Sequence, residues 1–155
     1  MKQKGFSLIE LLIVVAIILI IAAIAIPNLL KSKMAANESS AVGSVRTINT
    51  GEVTYAAGCP NVGYSSSLTE LNTGATCPAG KNIIDNVLAN GAKSGYTFKY
   101  AGTADATGLI NTYTVTAIPG VTGTTGQRGF FSDQSGVIRY TLDGSVPTTA
   151  SSALQ

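Results

Sequence analysis

Glu10 is the single charged residue in a block of 21 residues, Phe6 to Ile26, that is otherwise apolar apart from Ser7 and small alanines. A carboxylate set into hydrocarbon costs on the order of 2.5–3.5 kcal/mol at the centre of a spanning helix, and it usually marks a function and a partner. Two other pairs of residues could do chemistry. Cys59 and Cys77 can pair as a disulfide, remain as reduced thiols or cycle between the two states. Asp133 and Asp143 can each ligate a cation through oxygen or start a tight turn. The chain has no His, which removes Ser-His-Asp and Cys-His catalysis together with most zinc and haem sites. Two cysteines cannot close a Cys-only zinc site. No catalytic residues and no cofactor are indicated, and the expected reading is a non-enzyme.

The elements that must position these residues follow from length and patterning. The chain has 155 residues, enough for one domain or a small domain with an appendage. Net charge is +2 and only 12% of residues are charged. That excludes a charge-rich disordered chain and gives no direct indication of a nucleic-acid partner. From Leu11 to Ile26 sixteen apolar residues run without interruption. As a helix, Phe6 to Ile26 spans about 30 Å, enough to cross a bilayer core.

Three readings of Met1 to Pro27 compete. A cleaved secretory signal would use Lys2 and Lys4, the apolar run and Ala23-Ile24-Ala25 as its cleavage site, leaving a mature start at Ile26. The run is long for that purpose and Glu10 is foreign to it. A plain transmembrane anchor leaves Glu10 without a role. The third reading rests on a resemblance. Lys4-Gly5-Phe6-Ser7-Leu8-Ile9-Glu10, followed by the apolar run, resembles the N-terminus of type IV pilins and type II secretion pseudopilins.

The resemblance covers roughly residues 4–30. It implies a leader over 1–5, cut after Gly5 by a dedicated prepilin peptidase, and N-methylation of the new N-terminal Phe6. It implies that Glu10 is the acid used in subunit assembly and that Pro27 kinks the helix. Its implied partners are further copies of the chain, the prepilin peptidase, the pilus assembly machinery and, before assembly, the cytoplasmic membrane. The precursor would sit in the inner membrane and the assembled product would be an extracellular filament. The residues make chemical sense of this. Gly5 lets a protease approach the backbone closely. The cut removes Lys2 and Lys4 and creates an α-ammonium at Phe6. Glu10, one helical turn away, can meet that amine in its own chain or in a neighbour. In hydrocarbon a mismatch of such charges is heavily penalised, which would fix subunit register. The counts of Lys2 and Lys4 against Lys31 and Lys33 favour an inner N-terminus only slightly, and two cysteines on the C-terminal side add to it.

The expected fold class is α+β and pilin-like, a long N-terminal helix packed on a small antiparallel sheet of three to four strands. The expected segments are a hydrophobic polymerisation helix at 6–27, its amphipathic continuation at 28–57 and a β-sheet head at 58–155. Met34, Ala41, Val45, Ile48 and Tyr55 form a helical stripe, with Asn37, Ser44 and Thr47 read as the opposite face. Asn37-Glu38-Ser39 matches a glycosylation sequon and is read as coincidence on a helix. In an exported domain Cys59 and Cys77, bracketing a turn-rich loop, most often pair. Ser65–Leu71 reads as a short Ser-capped helix. Tyr96–Tyr100 reads as a strand ending in a turn at Ala101-Gly102. Thr112–Ile118 follows as a second strand, and Phe130-Phe131 with Val137–Leu142 reads as a hairpin. The tail from Pro147 is read as loosely ordered. The resemblance to major pseudopilins makes Asp133 and Asp143 candidates for calcium, against the plainer reading of each as a turn residue. The rival functions are a type II secretion pseudopilin, a membrane-anchored binding domain that never polymerises and a secreted enzyme.

Overall fold

Leu8 to Gly58 forms one helix of 51 residues, α1, with Pro27 inside it. The computed structural model describes residues 6–154. The leader call at 1–5, with Lys2, Lys4 and Gly5, lies outside the described residues. The chain divides into two compact units, Met1–Lys33 and Met34–Gln155. In the first, α1 is long and apolar enough to cross a membrane. Its large apolar side chains from Leu8 to Leu30 are exposed, so among the described residues nothing in the unit covers them.

The second unit is built on the rest of α1. Five further elements precede or open the sheet: α2 (Glu70–Thr73), a 3-10 turn (Pro78–Gly80), α3 (Asn86–Ala89) and the strands β1 (Ala92–Lys93) and β2 (Tyr96–Ala104). The remaining strands are β3 (Ile110–Pro119), β4 (Gly129–Asp133), β5 (Arg139–Thr141) and β6 (Ser152–Ala153). The six strands pair antiparallel in sequence order. The fold is α+β as expected, with six strands where three to four were expected. The additional strands have two residues each, too short to carry an alternation, and form because the edges of β2 and β5 offer unpaired backbone groups.

The core lies between α1 and the sheet. Ala41, Val45, Ile48 and Tyr55 of the predicted stripe are buried against Tyr96, Phe98, Tyr113, Val115, Ala117 and Phe130. Tyr113, Val115 and Ala117 point inward at period two, while Thr112 and Thr114 stay exposed. Burying these side chains stabilises the unit by about 1.5–3 kcal/mol for each large residue. The face read as opposite is partly wrong. Ser44 is buried and Asn37 half-buried, because 37, 41, 44 and 48 recur at the helical spacing of one face.

Three further expectations are corrected. β2 runs through Ala101-Gly102 with Gly102 paired to Tyr113. The chain turns instead at Asp105, whose Oδ1 accepts the N–H groups of Thr107 and Leu109 at 2.8 and 3.1 Å. The short helix begins at Glu70 rather than Ser65, because Ser65 is held by a side chain of α1. The tail is ordered. Pro147 is buried, β6 pairs with β5, and the Leu154 N–H donates to Ile138 O at 2.7 Å.

Candidate functional site

The N-terminal end of α1 is closed by its own acid. Ser7 precedes the first helical residue and Glu10 stands three residues on. The Ser7 N–H donates to Glu10 Oε2 at 2.9 Å. This is the return arm of a capping box, in which the acid three residues into the helix satisfies an otherwise orphaned donor. The Ser-x-x-Glu spacing ahead of an apolar run was the available signal for it. A carboxylate accepts at both oxygens, so Glu10 retains capacity for a second donor. The side chain of Phe6 is exposed. Pro27 lies within α1 and supplies no N–H to the carbonyl one turn back. One residue later the ordinary ladder is supplemented by Ser32 Oγ, which donates to Asn28 O at 3.0 Å.

In the second unit, three acids that the sequence pattern did not single out are buried: Glu38 and Glu52 on α1, and Glu70 on α2. Glu38 Oε1 accepts the N–H groups of Gln127 and Arg128 at 2.8 and 3.1 Å, and Oε2 takes Arg128 Nε at 2.7 Å. The Arg128 guanidinium lies over Phe130 and Tyr140, 5.6 and 5.8 Å from the ring centroids. Burial alone would raise the Glu38 pKa. The Gln127 N–H and the two Arg128 donors reverse this, and the net effect holds it below the ordinary carboxylate range. Glu38→Ala is expected to cost about 2–3 kcal/mol in denaturant unfolding, because it strands two backbone N–H groups and a half-exposed guanidinium.

Glu70 gathers the loop around the disulfide. Its carboxylate accepts the Tyr55 hydroxyl at 3.1 Å, the Thr76 N–H at 2.7 Å and the Cys77 N–H at 3.3 Å. Burial raises its pKa, and these donors bring the net value below the ordinary range. Tyr55 moves the other way, pushed up to about 12 by burial, by its bond to Glu70 and by the charges of Glu70 and Glu52. Cys59 and Cys77 form a disulfide with Cα atoms 6.2 Å apart. The bond ties the residue following α1 to the far end of the loop.

The structure does not bring Asp133 and Asp143 together. Gly129 pairs with Thr141 and Phe131 with Arg139, so Asp133, the last residue of β4, and Asp143, two residues past β5, lie at opposite ends of the β4–β5 hairpin. Each caps its own turn. Asp133 Oδ1 accepts the Ser135 N–H at 2.9 Å, and Asp143 Oδ1 accepts the Ser145 N–H at 3.0 Å. Among the described residues no group of three or more acids, cysteines or histidines is placed to hold a metal. The sequon residue Asn37 commits its amide nitrogen to Thr125 O at 2.8 Å.

Residues 1–26 match the family described as the prokaryotic N-terminal methylation motif. The chain is 44% identical over 54 residues to the type IV major pilin protein PilA of Myxococcus xanthus, a stretch covering 35% of this chain and 24% of that one. It is 60% identical over 38 residues to the type IV wide pilus major component PilA4 of Thermus thermophilus, covering 24% of this chain and 29% of that one. The chain thus spans 24% and 29% of the lengths of these two relatives. No solved structure matches it.

Proposed function

From the prokaryotic N-terminal methylation motif that this chain carries over residues 1–26, we propose that it is a pilin-type structural subunit that polymerises through its N-terminal helix into an extracellular filament. Hydrolysis of the Gly5–Phe6 bond releases the leader 1–5 and leaves an α-ammonium on Phe6. N-methylation keeps that charge. Glu10, already turned back on the first turn of α1 by the Ser7 N–H, is one turn from the new amine and neutralises it, in its own chain or in a neighbour. The exposed apolar side chains of the first unit supply the surface that lipid covers in the precursor and that other copies cover in the filament. Pro27 lets the helix bend near the C-terminal end of this apolar surface.

Both relatives are named for type IV pili, and this favours a pilus over a secretion pseudopilin. The single observation that carries the reading is the motif, with Gly5, Phe6 and Glu10 in sequence. Intact mass and N-terminal sequencing of the chain from its host test it. The expected result is a mature start at N-methylated Phe6, with a mass two hydrogens below that of the dithiol. A start at Ile26 would mean that the apolar helix is discarded and would end the filament reading. An uncut Met1 would leave a plain membrane anchor.

A further inference from the structure

Glu52 sits on α1 with its side chain wholly buried. Its Oε2 accepts the Ser65 N–H at 2.9 Å and its Oε1 lies 2.5 Å from Ser65 Oγ. Ser65 is buried as well. Its hydroxyl is also 3.1 Å from Ser67 O, and its carbonyl accepts the Tyr100 hydroxyl at 3.0 Å. The ionisable groups facing Glu52 are Tyr55 from its own helix, Tyr100 from β2 and Tyr113 from β3, with Glu70 on the far side of the Tyr55 hydroxyl. None of them is a cation. The ion pairs among the described residues, Lys93–Asp85 and Arg128–Glu38, are elsewhere.

This hydrogen-bond set accommodates two states of the carboxyl without moving a heavy atom. If Glu52 is ionised, the Ser65 hydroxyl donates to Oε1 and a charge is buried with no counter-ion. If Glu52 is protonated, Oε1–H donates to Ser65 Oγ, whose own hydrogen turns to Ser67 O. The Ser65 N–H donates to Oε2 in both states. Both states satisfy every donor and acceptor, because Ser67 O also accepts the Glu70 N–H at 3.1 Å, and only the second leaves no buried charge.

We propose that Glu52 is a proton-binding site, a neutral carboxyl latch that fastens the Ser65–Leu71 segment to α1 and is weakened when its proton leaves. Burial, the largest influence on this group, pushes its pKa up against the downward pull of the two Ser65 donors and of the Tyr100 hydroxyl. Glu38, beside the Arg128 guanidinium, and Glu70, where the Thr76, Tyr55 and Cys77 donors outweigh burial, are held down. The linkage signs are therefore opposite. The contribution of Glu52 is complete below the pKa of an unfolded glutamate and is lost as pH rises through its folded value. Those of Glu38 and Glu70 are complete above the unfolded value and are lost as pH falls through theirs. The latch belongs to the second unit and operates whether or not copies of the chain assemble.

Two measurements on the full chain in detergent micelles test it. Carbon-13 NMR of glutamate carboxyls follows the four glutamates, Glu10, Glu38, Glu52 and Glu70, with Glu52 assigned in the wild type. Its midpoint is expected above the ordinary value of about 4.3. Chemical unfolding is then compared with Glu52→Gln, whose amide reproduces the neutral acid, the carbonyl accepting from the Ser65 N–H and the NH2 donating to Ser65 Oγ. Between the ordinary value and the Glu52 midpoint the wild type is expected to lose up to about tenfold in its folding constant per pH unit through this group. The variant lacks that decline and is the more stable form at pH 8. A Glu52 midpoint at or below the ordinary value would overturn the proposal. So would a Glu52→Gln chain that is less stable than wild type at pH 8 or does not fold there, since the ionised carboxylate would then be what holds the segment.

Discussion

Glu10→Ala is expected to reduce the yield of assembled filament by on the order of a hundredfold or more, while the head unfolds at the wild-type denaturant concentration. The size follows from placement. In the proposed assembly Glu10 and the Phe6 ammonium meet in hydrocarbon, and removing one partner of a desolvated pair leaves an uncompensated charge at every subunit contact. The amount of chain in a sheared filament fraction, relative to the membrane fraction, reads the effect. Glu10→Gln separates the two roles of the residue. Its amide oxygen can still accept the Ser7 N–H that closes the helix, but it carries no charge for the amine. If capping were the dominant role, Glu10→Gln would assemble like the wild type. Undiminished filament from Glu10→Ala would leave a membrane-anchored domain that does not polymerise.

Removing the Cys59–Cys77 bond should have the largest effect on the head itself. The bond joins two residues 18 apart in the chain. By the chain-entropy account a closure of this size is worth about 3 kcal/mol. Cys59→Ser with Cys77→Ser, or reduction of the wild type, is expected to lower the melting temperature by roughly 10 °C. Glu70 limits the damage, because it holds the Thr76 and Cys77 N–H groups against Tyr55 whether or not the bond exists. Adding Glu70→Gln to the serine pair should therefore cost more than the sum of the separate changes. Additive costs would mean that the carboxylate does not organise this loop independently of the disulfide.

The elements of highest periodicity were the most legible in the sequence. The apolar block, the stripe Ala41–Val45–Ile48–Tyr55 and the alternation of β3 each repeat a single physical requirement several times, and each is present. The buried acids were not legible for the opposite reason. A pattern treats Glu38 and Glu52 as polar and therefore outward. What makes them inward is a donor elsewhere in the chain, 89 and 90 residues on for Glu38 and 13 residues on for Glu52. The two-residue strands β1 and β6 carry no alternation to detect. At the N-terminus, Glu10 was conspicuous as an acid among hydrocarbons. Its bond to Ser7 was equally readable from spacing alone but was masked by that prominence.

The strictly sequential strand order has a kinetic consequence. Each strand pairs with the one made just before it, so the sheet can grow by successive local closures in the order in which the chain is synthesised, with no strand waiting for a distant partner. The contacts that cannot form this way are the locks from α1 to the later loops, above all Glu38 to Gln127 and Arg128. Because they join residues 89 and 90 apart in sequence, they are expected to close late, on the native side of the folding barrier. Glu38→Ala is then expected to leave the refolding rate nearly unchanged and to accelerate unfolding, which stopped-flow kinetics would read. On that order of events the helix-to-loop locks set the lifetime of the finished head, and the hairpins set the speed of its formation.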